Sequence, residues 1–183
     1  MKMLRHYDKL EAITRGEMPL PIEWVVYPSN VCQHKCVFCL FRHPSPDGHI
    51  EQFDFRVTLP RDLLLRYVQD AARLGGRIIQ FEGGGEPLIN KATREALQLA
   101  NTLGIKTALS TNGRLLTPEI AAATDYIRVS LNAGTAEQHW KTNHGADVKD
   151  KGDWHIIIEN IRRALPHKRG DLSLAFVIDP DNY

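Results

Sequence analysis

Three cysteines stand within eight residues, in the order Cys32-x-x-x-Cys36-x-x-Cys39, and the chain has no others. An odd number packed this tightly cannot build a disulfide framework, so the thiols read as metal ligands. In a reducing compartment, thiolates select soft centres such as zinc or iron–sulfur clusters. A four-iron four-sulfur cluster ordinarily takes four thiolates, one on each iron, so three leave one iron open. An open position is how a metal engages a substrate or cofactor, and this one could take an amine and a carboxylate together. The alternative on these residues alone is a structural zinc site of the Cys3His type, with His34 or His43 as fourth ligand.

Further groups suited to chemistry follow at strand ends. In Phe81-Glu82-Gly83-Gly84-Gly85-Glu86-Pro87 the glycines let backbone approach a ligand closely, and a carboxylate beside them can bind an ammonium group. Ser110-Thr111-Asn112-Gly113 and Ser130-Leu131-Asn132 supply hydroxyls and amides that hydrogen-bond a carboxylate or ribose hydroxyls without adding charge. Each also suits a turn, Asn112-Gly113 above all.

The cysteine spacing, with aromatic Phe38 just before the last thiol and the Gly-Gly-Glu stretch about 50 residues downstream, resembles the radical S-adenosylmethionine superfamily. The resemblance runs from about Ile22 to Tyr183. It implies a four-iron four-sulfur cluster on Cys32, Cys36 and Cys39, and S-adenosylmethionine bound by Phe38, Gly84, Gly85, Glu86, Ser110, Asn112, Ser130 and Asn132. Glu86 matches the acidic position beside the methionyl amino group, and Val177 and Ile178 would pack on adenine or simply fill core. The implied reaction is reductive cleavage of the cofactor to a 5′-deoxyadenosyl radical that takes hydrogen from a substrate. Implied partners are a small-molecule or peptide substrate, or a protein that receives a glycyl radical, and an electron donor such as flavodoxin or ferredoxin. With all three cysteines committed, the sequence holds no ligands for a second all-cysteine cluster. The substrate contacts it offers are Arg42, His43, His49, Asp54 and Arg56 before the first long helix, and His139, Lys141 and His144 after the fourth strand.

Positioning these groups requires alternating strands and helices. Strands are expected at Ile22–Tyr27, Arg77–Phe81, Ile105–Ser110, Tyr126–Leu131 and Leu172–Ile178. Between them, Thr58 with Pro60 would start a helix that stops at Gly75-Gly76, and a second would run from about Asn90 to Gly104. A third would start at Thr117-Pro118-Glu119, a short turn at a Thr135/Gln138 capping box, and a last helix would run from Asp153 to Pro166. Doubly wound sheets share this alternation. The chemically marked residues, however, sit at C-terminal strand ends, where barrels build active sites. The expectation is therefore an α/β fold, a partial (β/α) barrel of about five parallel units. Leu40 to Val57 is a long connection of the kind that forms lids or binding loops. The chain stops just after the fifth strand, which suggests truncation or a sheet that never closes.

At 183 residues one core domain over 22–183, preceded by an N-terminal extension over 1–21, is expected. Apolar residues at 43% and charged residues at 25% describe a globular chain, with no run long enough to cross a bilayer and no apolar N-terminal signal. A cytoplasmic location follows. A net charge of +1, with no basic block, makes neither nucleic acid nor membrane an evident partner.

Overall fold

Strand-length apolar segments and amphipathic helices alternate from Glu23 onward, and in the computed structural model they build one five-stranded parallel sheet. Residues 6–43, 53–144 and 153–178 are described. The order is α1 (Tyr7–Thr14), β1 (Glu23–Val26), α2 (Arg61–Arg73), β2 (Ile78–Phe81), α3 (Ala92–Thr102), β3 (Lys106–Thr111), α4 (Pro118–Ala122), β4 (Tyr126–Ser130), α5 (Ala136–His139), α6 (Asp153–Ala164) and β5 (Asp171–Ala175). The strands lie in chain order, β1-β2-β3-β4-β5, each parallel to its neighbour. A doubly wound sheet would reverse its order at a switch point. Sequential order makes this sheet a sector of a (β/α) barrel.

The two faces of the sheet differ as the strand period of two requires. Val26, Ile79, Phe81, Leu109, Ile127 and Val129 point outward and are buried beneath helices. They meet Leu64, Val68 and Ala71 of α2, Ala96, Leu97 and Ala100 of α3, and Ile157 and Ile161 of α6. Burying each large side chain of this kind contributes about 2 kcal/mol. Alternating with them, Gln80, Lys106, Ser110, Tyr126, Arg128, Ser130 and Asp171 face the barrel interior, where they line its cavities. Gly75 at φ +78° and Gly104 at φ +75° end α2 and α3 in the left-handed conformation, as the sequence predicts. Among the described residues no helix is long and apolar enough to cross a membrane.

Three expectations need correction. Thr58 does not cap α2; its hydroxyl lies 3.0 Å from that of Ser29, the two residues form a short antiparallel bridge, and Pro60 takes the cap position. The last strand ends at Ala175 rather than Ile178, because the Asn132 side-chain oxygen accepts the Val177 N–H at 2.9 Å and draws the chain off the sheet. The segment after α5 continues as a π-helical turn over Trp140–His144. By contrast, Thr117 and Thr135 accept the N–H groups of Ile120 and Gln138, the caps their spacing suggests.

Asn90 ties the start of the site to this frame. Its side-chain amide donates to the Pro28 and Leu59 carbonyls, each at 3.0 Å, and its oxygen accepts the Ala92 N–H at 3.0 Å. Asn90→Ala would leave buried polar groups of three segments unpaired, and the expected loss is about 3 kcal/mol, seen as a lower urea midpoint at unchanged slope. A loss below about 0.5 kcal/mol would show that the strap over β1 is held by other contacts.

Candidate active site

Beyond β1 the chain crosses the C-terminal edge of the sheet and becomes the cysteine loop, which is held by backbone hydrogen bonds from three directions. Asn30 N–H donates to the Val57 carbonyl at 2.8 Å, and Glu86 N–H to that of Val31 at 2.8 Å. From the far side, Lys35 and Val37 donate to the Asn143 and Thr142 carbonyls, both at 2.8 Å. Those carbonyls belong to the π-helical turn, a rare geometry that frequently marks functional sites. Cys39 N–H closes back on the Cys36 carbonyl at 3.1 Å. The loop is therefore set in shape by main-chain bonds before any metal is considered.

The glycine stretch after β2 lies directly against it. A Cβ on Gly85 would stand 2.4 Å from the Asn30 carbonyl carbon and the Val31 oxygen, and one on Gly84 would enter the Phe53 ring. Only glycine permits that approach. Glu86, 2% exposed, turns its carboxylate inward. One oxygen accepts from Leu88 N–H at 3.1 Å and the Thr111 hydroxyl at 2.8 Å; the other accepts from Asn112 N–H at 2.7 Å. Glu86 thereby joins the ends of β2 and β3. The Asn112 amide, in turn, donates to the Cys32 Sγ at 3.9 Å, and its oxygen accepts from Arg114 N–H.

Together these loops enclose a cavity of about 520 Å³. Cys32, Cys36 and Cys39 line it, as do Phe38, Gly84, Gly85, Glu86, Ser110, Asn112, Ser130 and Asn132, so the three thiols and these eight residues marked for the cofactor are brought to one place. Asn132 adopts φ 56°, and its backbone N–H and side chain fix residues 175–177 as the far wall. Val177 lines the cavity; Ile178 is 81% exposed and does not. Sequence reasoning missed Tyr27, Glu82, Thr111 and Arg128 on the wall. The signal for all but Thr111 was their place on the inward strand face or its extension past β1 and β2.

The suggested substrate contacts fare differently, and none of those among the described residues lines the cavity. His139 is buried, its ring edge-on to His34 at 5.3 Å. Lys141 pairs with Glu137, Asp54 with Arg56, and the Arg42 guanidinium sits over the Phe55 ring. His43 is exposed, His144 belongs to the π-helical turn, and His49 lies outside the described residues. The zinc alternative is also poorly served. Buried His34 directs Nε2 at Asp153, 3.2 Å away, and Arg114 pairs with the same carboxylate. Among the described residues no three His, Cys, Asp or Glu side chains are placed to hold a single metal ion.

Burial dominates the electrostatics. It pushes the Cys36 thiol up to about 12, with Cys32 and Cys39 adding to the shift, and raises Cys32 as well, against the His34 N–H that favours its thiolate. Burial also raises Glu86, opposed by its three hydrogen-bond donors. A cavity that gathers three thiols and a carboxylate out of water is completed by positive charge.

A family model, that of the radical SAM superfamily, matches residues 26–178. The S-adenosylmethionine-dependent nucleotide dehydratase of Lacinutrix mariniflava is 28% identical over 99% of this chain and 37% of its own length. The mycofactocin maturase MftC of Mycobacterium tuberculosis is 31% identical over 70% of this chain and 32% of its own length. The chain thus spans about a third of the curated relatives it matches. In fold, Streptococcus suis SuiB, solved with its precursor peptide SuiA, superposes with a TM-score of 0.65 at 22% identity, over 90% of this chain and 35% of that one.

The raised thiols give a direct test on metal-free protein. Only thiolate reacts with iodoacetamide, and a group at about 12 is nearly all thiol at pH 8.5. Cys36 labelling at pH 8.5 is expected to be at least about tenfold slower in the folded protein than in urea, and to accelerate as pH rises toward the folded value. Equal rates in both states, measured by peptide mass spectrometry, would contradict the burial described.

Proposed function

The chain belongs to the radical SAM superfamily, and from that premise we propose that it carries the catalytic site of an enzyme that generates a 5′-deoxyadenosyl radical and uses it to abstract hydrogen from a substrate. The superfamily's cofactors are a four-iron four-sulfur cluster and S-adenosylmethionine. When bound, the pair supplies one-electron cleavage of a carbon–sulfur bond; flavodoxin or ferredoxin suits the role of electron donor. The observation that carries the assignment is the convergence of the three thiols with Phe38, Gly84, Gly85, Glu86, Ser110, Asn112, Ser130 and Asn132 on one cavity of about 520 Å³.

The donor set fits the cluster. Three thiols lie on one loop, all unpaired in disulfides, and the sequence has no fourth. Cys32, Cys36 and Cys39 would therefore hold three irons and leave the fourth to the cofactor. Glu86 is suited to the methionyl ammonium: its three donors leave about one acceptor position of the carboxylate unused, and an ammonium ion would offset the burial that raises it. Ser110 and Asn112 offer neutral donors to the carboxylate, Ser130 and Asn132 to the ribose, and Phe38 and Val177 apolar contact to the remainder. The π-helical turn and the Gly85 contact hold the thiols in place, while the outer helices keep water from the sheet's other face.

The decisive experiment is anaerobic reconstitution of the protein with iron and sulfide. A brown protein that forms 5′-deoxyadenosine from S-adenosylmethionine only when reduced is expected, with colour and product both lost in Cys36→Ala. Colourless, air-stable protein holding about one zinc per chain and forming no deoxyadenosine would reject the proposal in favour of a zinc-stabilised binding module.

A further inference from the structure

The inner face of the sheet carries a second cavity of about 1100 Å³, nearer the N-terminal ends of the strands. It shares two wall residues with the first, Ser110 and Arg128. Barrel interiors are ordinarily filled by branched apolar side chains. Here the register sets Ser110, Arg128 and Ser173 side by side across β3, β4 and β5, and Ser130 follows Arg128 on the same face. The other cations around this chamber are engaged: Lys106 binds Asp125 at 2.9 Å and Arg169 binds it at 3.4 Å. Glu82, on β2's extension, takes the Gln80 amide. Among the described residues, neither the Arg128 guanidinium nor the Ser110 hydroxyl has a protein acceptor or donor within bonding distance. A guanidinium presents five N–H donors in a planar fork matched to carboxylate and phosphate. At the junction of two cavities, beside an unengaged hydroxyl, such a fork lacks only its anion.

We propose that Arg128 anchors a carboxylate or phosphate group of the substrate, so that the substrate is an acidic molecule lying in the inner chamber beneath the cofactor. The inference rests on the radical-enzyme reading for the direction in which the substrate must lie. The wall groups point the same way: Glu82 and Glu86 line the outer cavity and the unengaged cation stands at its inner boundary, so a cationic group is drawn outward and an anionic one inward. Because the sheet face is open, the interaction is screened by salt and belongs to the low-ionic-strength regime.

The test uses inorganic pyrophosphate and glutarate as probes, titrated calorimetrically into the reconstituted protein with S-adenosylmethionine present. At least one of them is expected to bind, at least about tenfold more weakly to Arg128→Gln and to an intermediate degree to Arg128→Lys, which keeps the charge without the fork. Lys106→Gln, on the same face but already paired, is the comparison, with an expected change below about threefold. S-adenosylmethionine affinity, measured by equilibrium dialysis, is expected to stay within about threefold in Arg128→Gln. Failure of both anions to bind, or equal binding to Arg128→Gln, overturns the proposal. So does a loss of cofactor affinity above about tenfold, which would assign Arg128 to the cofactor's own carboxylate. Should Arg128→Gln fail to fold, equal affinities in the wild type and Arg128→Lys overturn it instead. Failed reconstitution strikes the radical reading alone, because the titration can be repeated on metal-free protein.

Discussion

Gly85 rests on the backbone of Asn30 and Val31, so closely that a single methyl group would separate them. The rest of the site depends on that contact. It lets Glu86 N–H reach the Val31 carbonyl, which joins the glycine stretch to the cysteine loop, and it leaves the Glu86 side chain no direction but inward, to the end of β3. Three strands are thus bound together at their C-terminal ends by one residue pair, and the thiols acquire a fixed relation to the hydroxyls and amides of β3. The amide of Asn112 completes the circuit by donating to Cys32. A site whose geometry must serve a metal and an organic cofactor at once needs this kind of over-determination, because either alone could be met by a floppier loop.

The sheet divides its labour by face. Outward residues such as Phe81, Leu109 and Ile127 are buried under α2, α3 and α6 and supply the apolar area on which folding depends. Inward residues contribute little to that core and are therefore open to polar or charged types. The same period of two that makes Ile127 and Val129 essential to packing leaves Arg128 and Ser130 for chemistry. Stability and function are separated by one step along the chain rather than by distance, which explains how a small sheet carries both.

Much of this was legible in the sequence because it is local. The cysteine spacing, the glycine run and the Ser/Asn pairs at strand ends each announce themselves within a few residues, and apolar periodicity located all five strands. What escaped is non-local. Nothing in Trp140-Lys-Thr-Asn-His144 signals a π-helical turn, since the turn exists to present two carbonyls to a loop about a hundred residues away in sequence. Thr58 has the type and spacing of a helix cap, yet Ser29 claims its hydroxyl. His139 looks like an exposed polar residue on a short helix, and only the tertiary fold buries it against His34. The end of β5 was overread for the same reason: Val177 and Ile178 have strand propensity, but an asparagine side chain from β4's exit competes for the Val177 N–H and wins.

Charge finally relates the two cavities to each other. Burial raises the Cys36 thiol and the Glu86 carboxyl together, so the outer cavity resists ionising unless positive charge arrives. An iron–sulfur cluster held by the thiols, and a sulfonium cofactor whose ammonium met Glu86, would bring that charge where the resistance is greatest, as the proposed function requires. The electrostatic demand of the walls therefore acts as a selection rule: an anionic substrate group would meet its counterpart at Arg128, on the inner boundary of the cavity. Orientation of the reactants then follows from the sign of the walls as much as from their shape, because reversing the two occupants would place like charges together at both ends.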